Sequence, residues 1–325
     1  MLKTAPLLSI CIPTYNRADM LDKTLAGIVA VPEFLDSDDI EVIVSDNCSS
    51  DGTPGICRRY SELFPEKIRT FRQTSEIDSH FNFKFVLDKG QGMFLKLHND
   101  NAEFLPGMLS RYLDVIRAVE DGIGFIVTDA GGDLVSNDPE ELLARVGLTV
   151  TWISNFCIRR SVYEDMPDSF RAWRLFLPQL DIFLRVVAAG HHVKLLDGAF
   201  FRRMHVVYDN TVHSRNDALI FGRNYFDILE SVFPSGTISQ RTLTRLKKDI
   251  LYRHIIPFHF DFFGQYFLKR QGGYLSALWK HYRLEPFFYT SFLYIGFYFF
   301  VTRIVPLHQL CGKIKRRLLS VRRTE

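Results

Sequence analysis

Leu7-Leu8-Ser9-Ile10-Cys11-Ile12-Pro13-Thr14-Tyr15-Asn16-Arg17 is the stretch from which the rest of the chain is read. Leu7 to Ile12 is an apolar run of strand length, and Pro13 ends it. After the polar Thr14 to Arg17, the segment from Ala18 to Val29 has helical spacing. The order is strand, loop, helix. Asp39-Ile40-Glu41-Val42-Ile43-Val44-Ser45 then forms a second strand and runs into Asp46-Asn47-Cys48-Ser49-Ser50-Asp51-Gly52-Thr53, a polar turn that opens another helix. Such a β-α-β order implies a right-handed parallel crossover. In open parallel sheets the loops at the carboxyl ends of the strands converge on one crevice, so Thr14 to Arg17 and Asp46 to Asp51 are expected to face one ligand. A carboxylate there accepts hydrogen bonds from a base or ribose, and free backbone amides receive phosphate. Asp and Asn also favour turns for purely local reasons, which suffices for Asp51; Asp46, directly after a strand, is the candidate for the nucleoside.

Composition narrows the class. A chain of 325 residues with 47% hydrophobic residues can bury a sizeable core. Its 40 basic and 37 acidic residues are too balanced for a protein that binds nucleic-acid phosphates, so no nucleic acid is expected as a partner. The five cysteines are scattered and lack C-x-x-C spacing, which argues against a disulfide framework or a structural zinc site and suits a reducing compartment. The N-terminal apolar run reads as a strand rather than as a signal peptide. Aromatic residues make up 14% of the chain, and many lie beyond Tyr252. Strand-length runs alternate with amphipathic segments up to about residue 225, after which the chain reads as helical and aromatic. The expected organisation is an α/β domain over 1–225 and a helical, aromatic-rich and basic region over 226–325.

Ser9-Ile10-Cys11-Ile12-Pro13-Thr14-Tyr15-Asn16-Arg17, followed by Val42-Ile43-Val44-Ser45-Asp46-Asn47-Cys48-Ser49-Ser50-Asp51-Gly52-Thr53, resembles the opening of family 2 glycosyltransferases. Within that family it is most similar to bacterial enzymes of O-antigen and surface-polysaccharide synthesis, of the abequosyltransferase type. The resemblance implies a GT-A fold, a Rossmann-like sheet that binds a nucleoside diphosphate sugar, with Pro13, Thr14, Tyr15, Arg17 and Asp46 at the donor. Asp78-Ser79-His80-Phe81-Asn82-Phe83-Lys84-Phe85-Val86-Leu87 resembles the family helix near the diphosphate, where Asp78 and Asn82 share one face.

Gly92-Met93-Phe94-Leu95-Lys96-Leu97-His98 reads as a strand, and Asn99-Asp100-Asn101 after it resembles the family's Asp-x-Asp segment. Carboxylates belong there because the leaving diphosphate is multiply charged and a divalent cation screens it, Mg2+ or Mn2+ being suited to oxygen ligands. This chain departs from the pattern: Asp100 is the one carboxylate of the triplet, and Asn99 and Asn101 offer only amide oxygens. Asn99 is assigned to the donor, and Asp100 and Asn101 to the metal. His205, in Phe200-Phe201-Arg202-Arg203-Met204-His205, resembles the late histidine that some relatives supply to the metal, and Arg202 and Arg203 could neutralise phosphate. A lone histidine also has structural uses.

An inverting transferase needs a general base for the acceptor hydroxyl. In Pro178-Gln179-Leu180-Asp181-Ile182-Phe183-Leu184-Arg185 the family's base position falls on Gln179, and Asp181 is the nearest carboxylate. Two residues along a regular helix turn Asp181 about 200° away, so only an irregular first turn brings it into the site. Asp181 is the expected catalytic residue, although an acid in a first helical turn also has a structural reason. Thr151-Trp152-Ile153-Ser154-Asn155 resembles the segment that borders the acceptor, and Trp152 and Trp173 are candidates for stacking on a sugar.

The uncharged aromatic stretch Pro286 to Thr302 is short of the ~20 residues of a membrane span. It suits the headgroup interface, and Lys313, Lys315, Arg316, Arg317, Arg322 and Arg323 suit anionic lipids. The resulting expectation is a hexosyl- or deoxyhexosyltransferase at the cytoplasmic face of the inner membrane, acting on a saccharide or lipid-linked saccharide. Its competitors are a catalytically impaired nucleotide-sugar-binding protein and a membrane scaffold.

Overall fold

A computed structural model describes residues 5–204, 216–256 and 273–293. Strands β1 (Leu8–Thr14) and β2 (Ile40–Asp46) are buried along their whole length, as expected of apolar runs covered by helices on both faces. They pair in parallel with Thr14 opposite Asp46. β3 (Ile68–Arg72) extends the parallel sheet beyond β2, and β4 (Phe94–Leu97) lies parallel on the other side of β1. Beyond β4 come β8 (Cys157–Arg159) and β6 (Ile123–Val127), joined by antiparallel pairings. β9 (His192–Leu195) runs parallel to β6, and β7 (Leu134–Ser136) closes the edge antiparallel to β9. The eight-stranded mixed sheet has the order β3-β2-β1-β4-β8-β6-β9-β7. A separate antiparallel pair joins β5 (Ala102–Phe104) to β10 (Phe201–Arg203).

Helices α1 (Ala18–Val29) and α3 (Thr53–Leu63) follow β1 and β2, and α4 (Ser79–Asp88) follows β3. Connections leave β1 in both directions across the sheet, so the order reverses between β1 and β4, which is where ligands bind in open α/β sheets. α5 (Met108–Arg117), α6 (Pro139–Val146), α7 (Arg160–Glu164) and α8 (Pro178–Ala188) complete the α/β part, together with the short α2 (Pro32–Asp36).

One apolar cluster sits against β6, β8 and α8 and continues through Tyr225, Phe226, Leu251, Leu278, Tyr282 and Phe288, so the packing crosses residue 225. α9 (Tyr225–Val232), α10 (Gln240–Asp249) and α11 (Tyr274–Tyr282) carry it, with wide π-helical turns at Ala218–Asn224 and Ile250–Ile255. Gly222 lets α11 approach: a Cβ there would collide with Leu278. Residues 286–293 are helical. On this C-terminal part Leu275, Trp279, Leu284, Tyr289, Phe292 and Leu293 are exposed. Among the described residues no helix is long and apolar enough to cross a membrane. The remainder of the aromatic stretch and the basic tail lie outside the described residues.

Candidate active site

The loops after β1 and β2 are stitched to each other. Asn47 N–H donates to the Thr14 carbonyl (2.9 Å), Asn16 N–H to Ser49 Oγ (2.8 Å) and Ser50 N–H to Asn16 Oδ1 (2.8 Å). Asn16 has a φ of +50°, a conformation that asparagine tolerates better than most residues. Asp51 accepts from Ala18 N–H and Thr53 N–H and so ties together the first turns of α1 and α3, the local role expected of it.

Asp46 is 1% exposed. Its Oδ1 accepts from Ser49 N–H (2.9 Å), while Oδ2 has no hydrogen bond and lies 3.3 Å from Arg72 Nη1. The strand register brings Arg72 there, because Asp46 and Arg72 are directly opposite on β2 and β3. Sequence reasoning missed Arg72, although a basic residue at the carboxyl end of the next parallel strand is a readable signal. A buried carboxylate oxygen without a hydrogen bond, next to a partly exposed guanidinium, leaves an acceptor for an incoming N–H or O–H group.

Asp100 lies across β1 from Asp46. Thr14 Oγ1 donates to its Oδ2 (2.9 Å) and Arg17 Nη1 to its Oδ1 (2.8 Å), and Thr24 Oγ1 holds its carbonyl (2.8 Å). Burial pushes the Asp100 carboxyl pKa up, and the Arg17 charge with the two hydrogen bonds pulls the other way. The structure thus brings Thr14, Arg17, Asp46 and Asp100 together at the ends of β1, β2 and β4. Pro13 is inside β1 and Tyr15 is turned outward, its hydroxyl donating to Glu76 (2.8 Å).

Asn99 uses its backbone N–H (3.1 Å) and Nδ2 (3.0 Å) on Ser154 Oγ, which leaves its amide oxygen available. Asn101 is buried, and its carbonyl accepts from Met204 N–H (2.8 Å). The donor set is therefore one buried carboxylate with an amide oxygen beside it. That fits a hard divalent cation of the Mg2+ kind, which is held by one or two carboxylates plus substrate phosphates. Arg17 would then have to share Asp100. His205 lies outside the described residues. Arg202 pairs with Glu103 across β10 and β5. Asp227, Glu230 and His281 also come within reach of a common cation, but Lys280 Nζ is already 2.6 Å from Asp227, so they form an ion-pair network between α9 and α11.

Asp78 and Asn82 do not share one ligand-facing surface. Asp78 caps α4 by accepting from His80 N–H (2.9 Å). Asn82 is buried and returns both ends of its amide to Ser45: Oδ1 accepts from Ser45 Oγ (2.6 Å) and Nδ2 donates to the Ser45 carbonyl (3.0 Å). It braces the residue before Asp46. The cap turns Asp78 to the helix end while the second turn faces the sheet, which identity of spacing alone does not reveal.

α8 is regular from Pro178 onward, so Gln179 and Asp181 point apart. Gln179 Nε2 donates to the Thr151 carbonyl (2.6 Å), in the segment whose Ser154 holds Asn99; its Oε1 is buried without a hydrogen bond. Asp181 is 1% exposed, with Arg171 on both oxygens (2.8 to 3.2 Å) and Arg185 3.5 Å from Oδ2. It clamps the segment ahead of α8. Beneath the triplet, Lys96 is fully buried, donating to the carbonyls of Ser154 and Leu97 with Phe201 4.3 Å away, and burial lowers its pKa to about 7. Trp152 packs on Phe201 (5.9 Å).

Known proteins resemble this chain in fold and in sequence. Among solved structures, TarS of S. aureus in complex with UDP superposes with a TM-score of 0.56 at 15% identity, over 85% of this chain and 80% of that one. Mannosyltransferase PcManGT of Pyrobaculum calidifontis, in complex with GDP-Man and Mn2+, gives a TM-score of 0.53 at 15% identity, over 86% and 81%. At such identities the likeness is one of fold, the GT-A-like mixed sheet. In sequence, the GalNAc(5)-diNAcBac-PP-undecaprenol beta-1,3-glucosyltransferase of Campylobacter jejuni is 33% identical over 106 residues, 32% of this chain and 33% of that protein. The abequosyltransferase of Salmonella typhimurium is 49% identical over 47 residues, 14% of each chain. Mycobacterial relatives match over 28% of this chain, which spans a quarter of their length. The sequence profile described as glycosyl transferase family 2 matches residues 9–181, more than half of the 325, and takes in every strand end that forms the crevice: the chain belongs to glycosyl transferase family 2.

Proposed function

We propose that the sugar which this glycosyltransferase takes from its nucleoside diphosphate donor is a hexose or deoxyhexose, and that it is passed to a saccharide, lipid-linked, during surface-polysaccharide synthesis. The observation that carries the donor half is the placement of two carboxylates on either side of the β1 end: Asp46 after β2, with one oxygen left for a nucleoside N–H or O–H, and Asp100 after β4, beside Arg17. Arg17 and Arg72 place two guanidinium groups where a diphosphate would lie between the loops. A divalent cation at Asp100, Mg2+ or Mn2+, would screen the charge that develops on the departing diphosphate. Support for the acceptor half comes from the matches to the undecaprenol-linked glucosyltransferase and the abequosyltransferase.

For the base we propose Asp181, the one carboxylate of α8; because α8 as it stands turns Asp181 away from Gln179, it acts with inversion only when Arg171, the more exposed of its two arginines, lets go and the first turn of α8 rearranges toward the acceptor hydroxyl. Gln179 at the family's base position favours a second reading, a nucleotide-sugar-binding protein with impaired catalysis. A panel of nucleoside diphosphate sugars, tested by calorimetry and then for hydrolysis, decides: binding with turnover supports the enzyme, binding without it the second reading, and no binding rejects both.

The cytoplasmic membrane surface is proposed as the place of work, supported by the exposed Leu275, Trp279, Leu284, Tyr289, Phe292 and Leu293. The full chain should float with anionic vesicles, and a chain cut after Leu284 should not.

A further inference from the structure

Five non-glycine residues among those described have positive φ, and Phe176, at +63°, is the one bulky aromatic among them. A phenylalanine in this conformation is strained, and its ring is 48% exposed, so neither backbone preference nor core packing accounts for it. It is not alone. Its ring lies 5.7 Å from His80, the exposed Phe81 ring is 4.9 Å from Trp173, and the Arg174 guanidinium stacks 5.0 Å over Trp173. Two ring pairs, Phe176 with His80 and Phe81 with Trp173, thus join the first turn of α4 to residues 173–176 in an aromatic strip.

Each part of the strip is next in sequence to a residue that is tied to the crevice. Next to Phe81, Asn82 is bonded to Ser45, the neighbour of Asp46. Three residues after Phe176 comes Gln179, 6% exposed, whose Oε1 lacks a hydrogen-bond partner among the described residues. Such an orphaned acceptor calls for a donor from outside the fold. The rim of the strip is polar and of mixed charge, with exposed Asp78, Ser79 and Arg174. A pyranose ring has this complementarity: an apolar C–H face for the aromatic surface and hydroxyls for the carboxylate and guanidinium. An anionic lipid headgroup would meet Asp78 and Glu76.

We infer that Phe81, Trp173 and Phe176 form a stacking platform for a pyranose ring of the acceptor saccharide, with Gln179 Oε1 accepting a hydrogen bond from an acceptor hydroxyl. The inference rests on the glycosyl-transfer reading above. It is tested on the full chain labelled with 15N-tryptophan, whose three indole signals include one lost in Trp173→Phe. The probes are methyl glycosides of glucose, galactose, mannose, N-acetylglucosamine and rhamnose. At least one should shift the Trp173 signal, and Phe81→Ala and Phe176→Gly should weaken that binding about three- to tenfold. Phe176→Gly removes the strained side chain, so it should melt no lower than the wild type, which separates loss of binding from loss of fold. If no pyranoside moves the signal, if the shift survives in both variants, or if only phosphatidylglycerol vesicles produce it, the platform is refuted. Donor binding is measured on the same samples by calorimetry: a wild type that binds no nucleoside diphosphate sugar overturns the functional reading, and a wild type that binds one while failing with every pyranoside overturns the platform alone.

Discussion

Asp181→Asn has two separable consequences. The carboxylate is 1% exposed and neutralises Arg171, whose side chain is 41% exposed, and Arg185, at 16%. Removing one partner of a fully buried pair costs about 3–5 kcal/mol, and an exposed pair is worth under about 1 kcal/mol. Arg171 can rehydrate, Arg185 only in part, and asparagine still accepts one hydrogen bond, so the loss should be about 2 kcal/mol. That corresponds to a fall in Tm of roughly 3 °C for a chain of 325 residues. As the general base, the same carboxylate should also be worth about 100-fold or more in turnover. Arg171→Met separates the two effects, since it breaks the clamp but leaves the carboxylate. Its Tm should also fall, by about 1 kcal/mol in equivalent stability, while hydrolysis of the donor stays within about tenfold of the wild type. The assay is release of nucleoside diphosphate from a donor found by the binding panel, with water as acceptor, at a temperature where both variants are folded. If Asp181→Asn loses no more turnover than Arg171→Met, Asp181 is a clamp and not the base.

Three further outcomes are expected. Asp46→Ala should weaken nucleoside diphosphate binding at least about tenfold, the worth of a charge-assisted hydrogen bond at a buried acceptor, with the fold retained; unchanged affinity by calorimetry removes Asp46 from the donor site. Asp100→Ala should abolish turnover more completely than Asn99→Ala or Asn101→Ala, and a chelator should suppress the wild type; full activity in chelator would leave Arg17 and Arg72 as the groups that neutralise the diphosphate. Lys96 has a folded pKa of about 7, below its unfolded value, because burial disfavours the ammonium. Between those values the unfolded chain binds more protons, so this residue makes stability rise with pH from about 7 upward, by at most about 1.4 kcal/mol per pH unit. Denaturant titrations at pH 7.5 and 9 should show that rise in the wild type and a smaller one in Lys96→Met; equal slopes would mean that Lys96 stays charged in the fold.

The strands and the crevice were legible in the sequence because both depend on local order. Apolar runs of strand length ending in polar turns specify β1, β2 and β4, and in a parallel sheet the residues after each run must share an edge. That is why Thr14, Arg17, Asp46 and Asp100 are found together. Helical spacing likewise foretold that Gln179 and Asp181 diverge on α8.

Partners that come from distant segments were not legible. Asn82 has the residue type and spacing of a ligand contact, yet Ser45 takes both ends of its amide, because α4 packs over the end of β2. Arg171 reaches Asp181 through an irregular segment with no periodicity to read; a basic residue at the end of β3 could be read, but its placement opposite Asp46 follows only from the register of β2 and β3. Whether a polar side chain is left for a ligand depends on which neighbours have already satisfied it. Sequence by itself determined which residues stand at the strand ends, since that follows from chain order and hydrophobic period. Tertiary structure decided which of their polar atoms remain unpaired, since a buried acceptor such as Asp46 Oδ2 or Gln179 Oε1 is recognised only once every surrounding donor has a position.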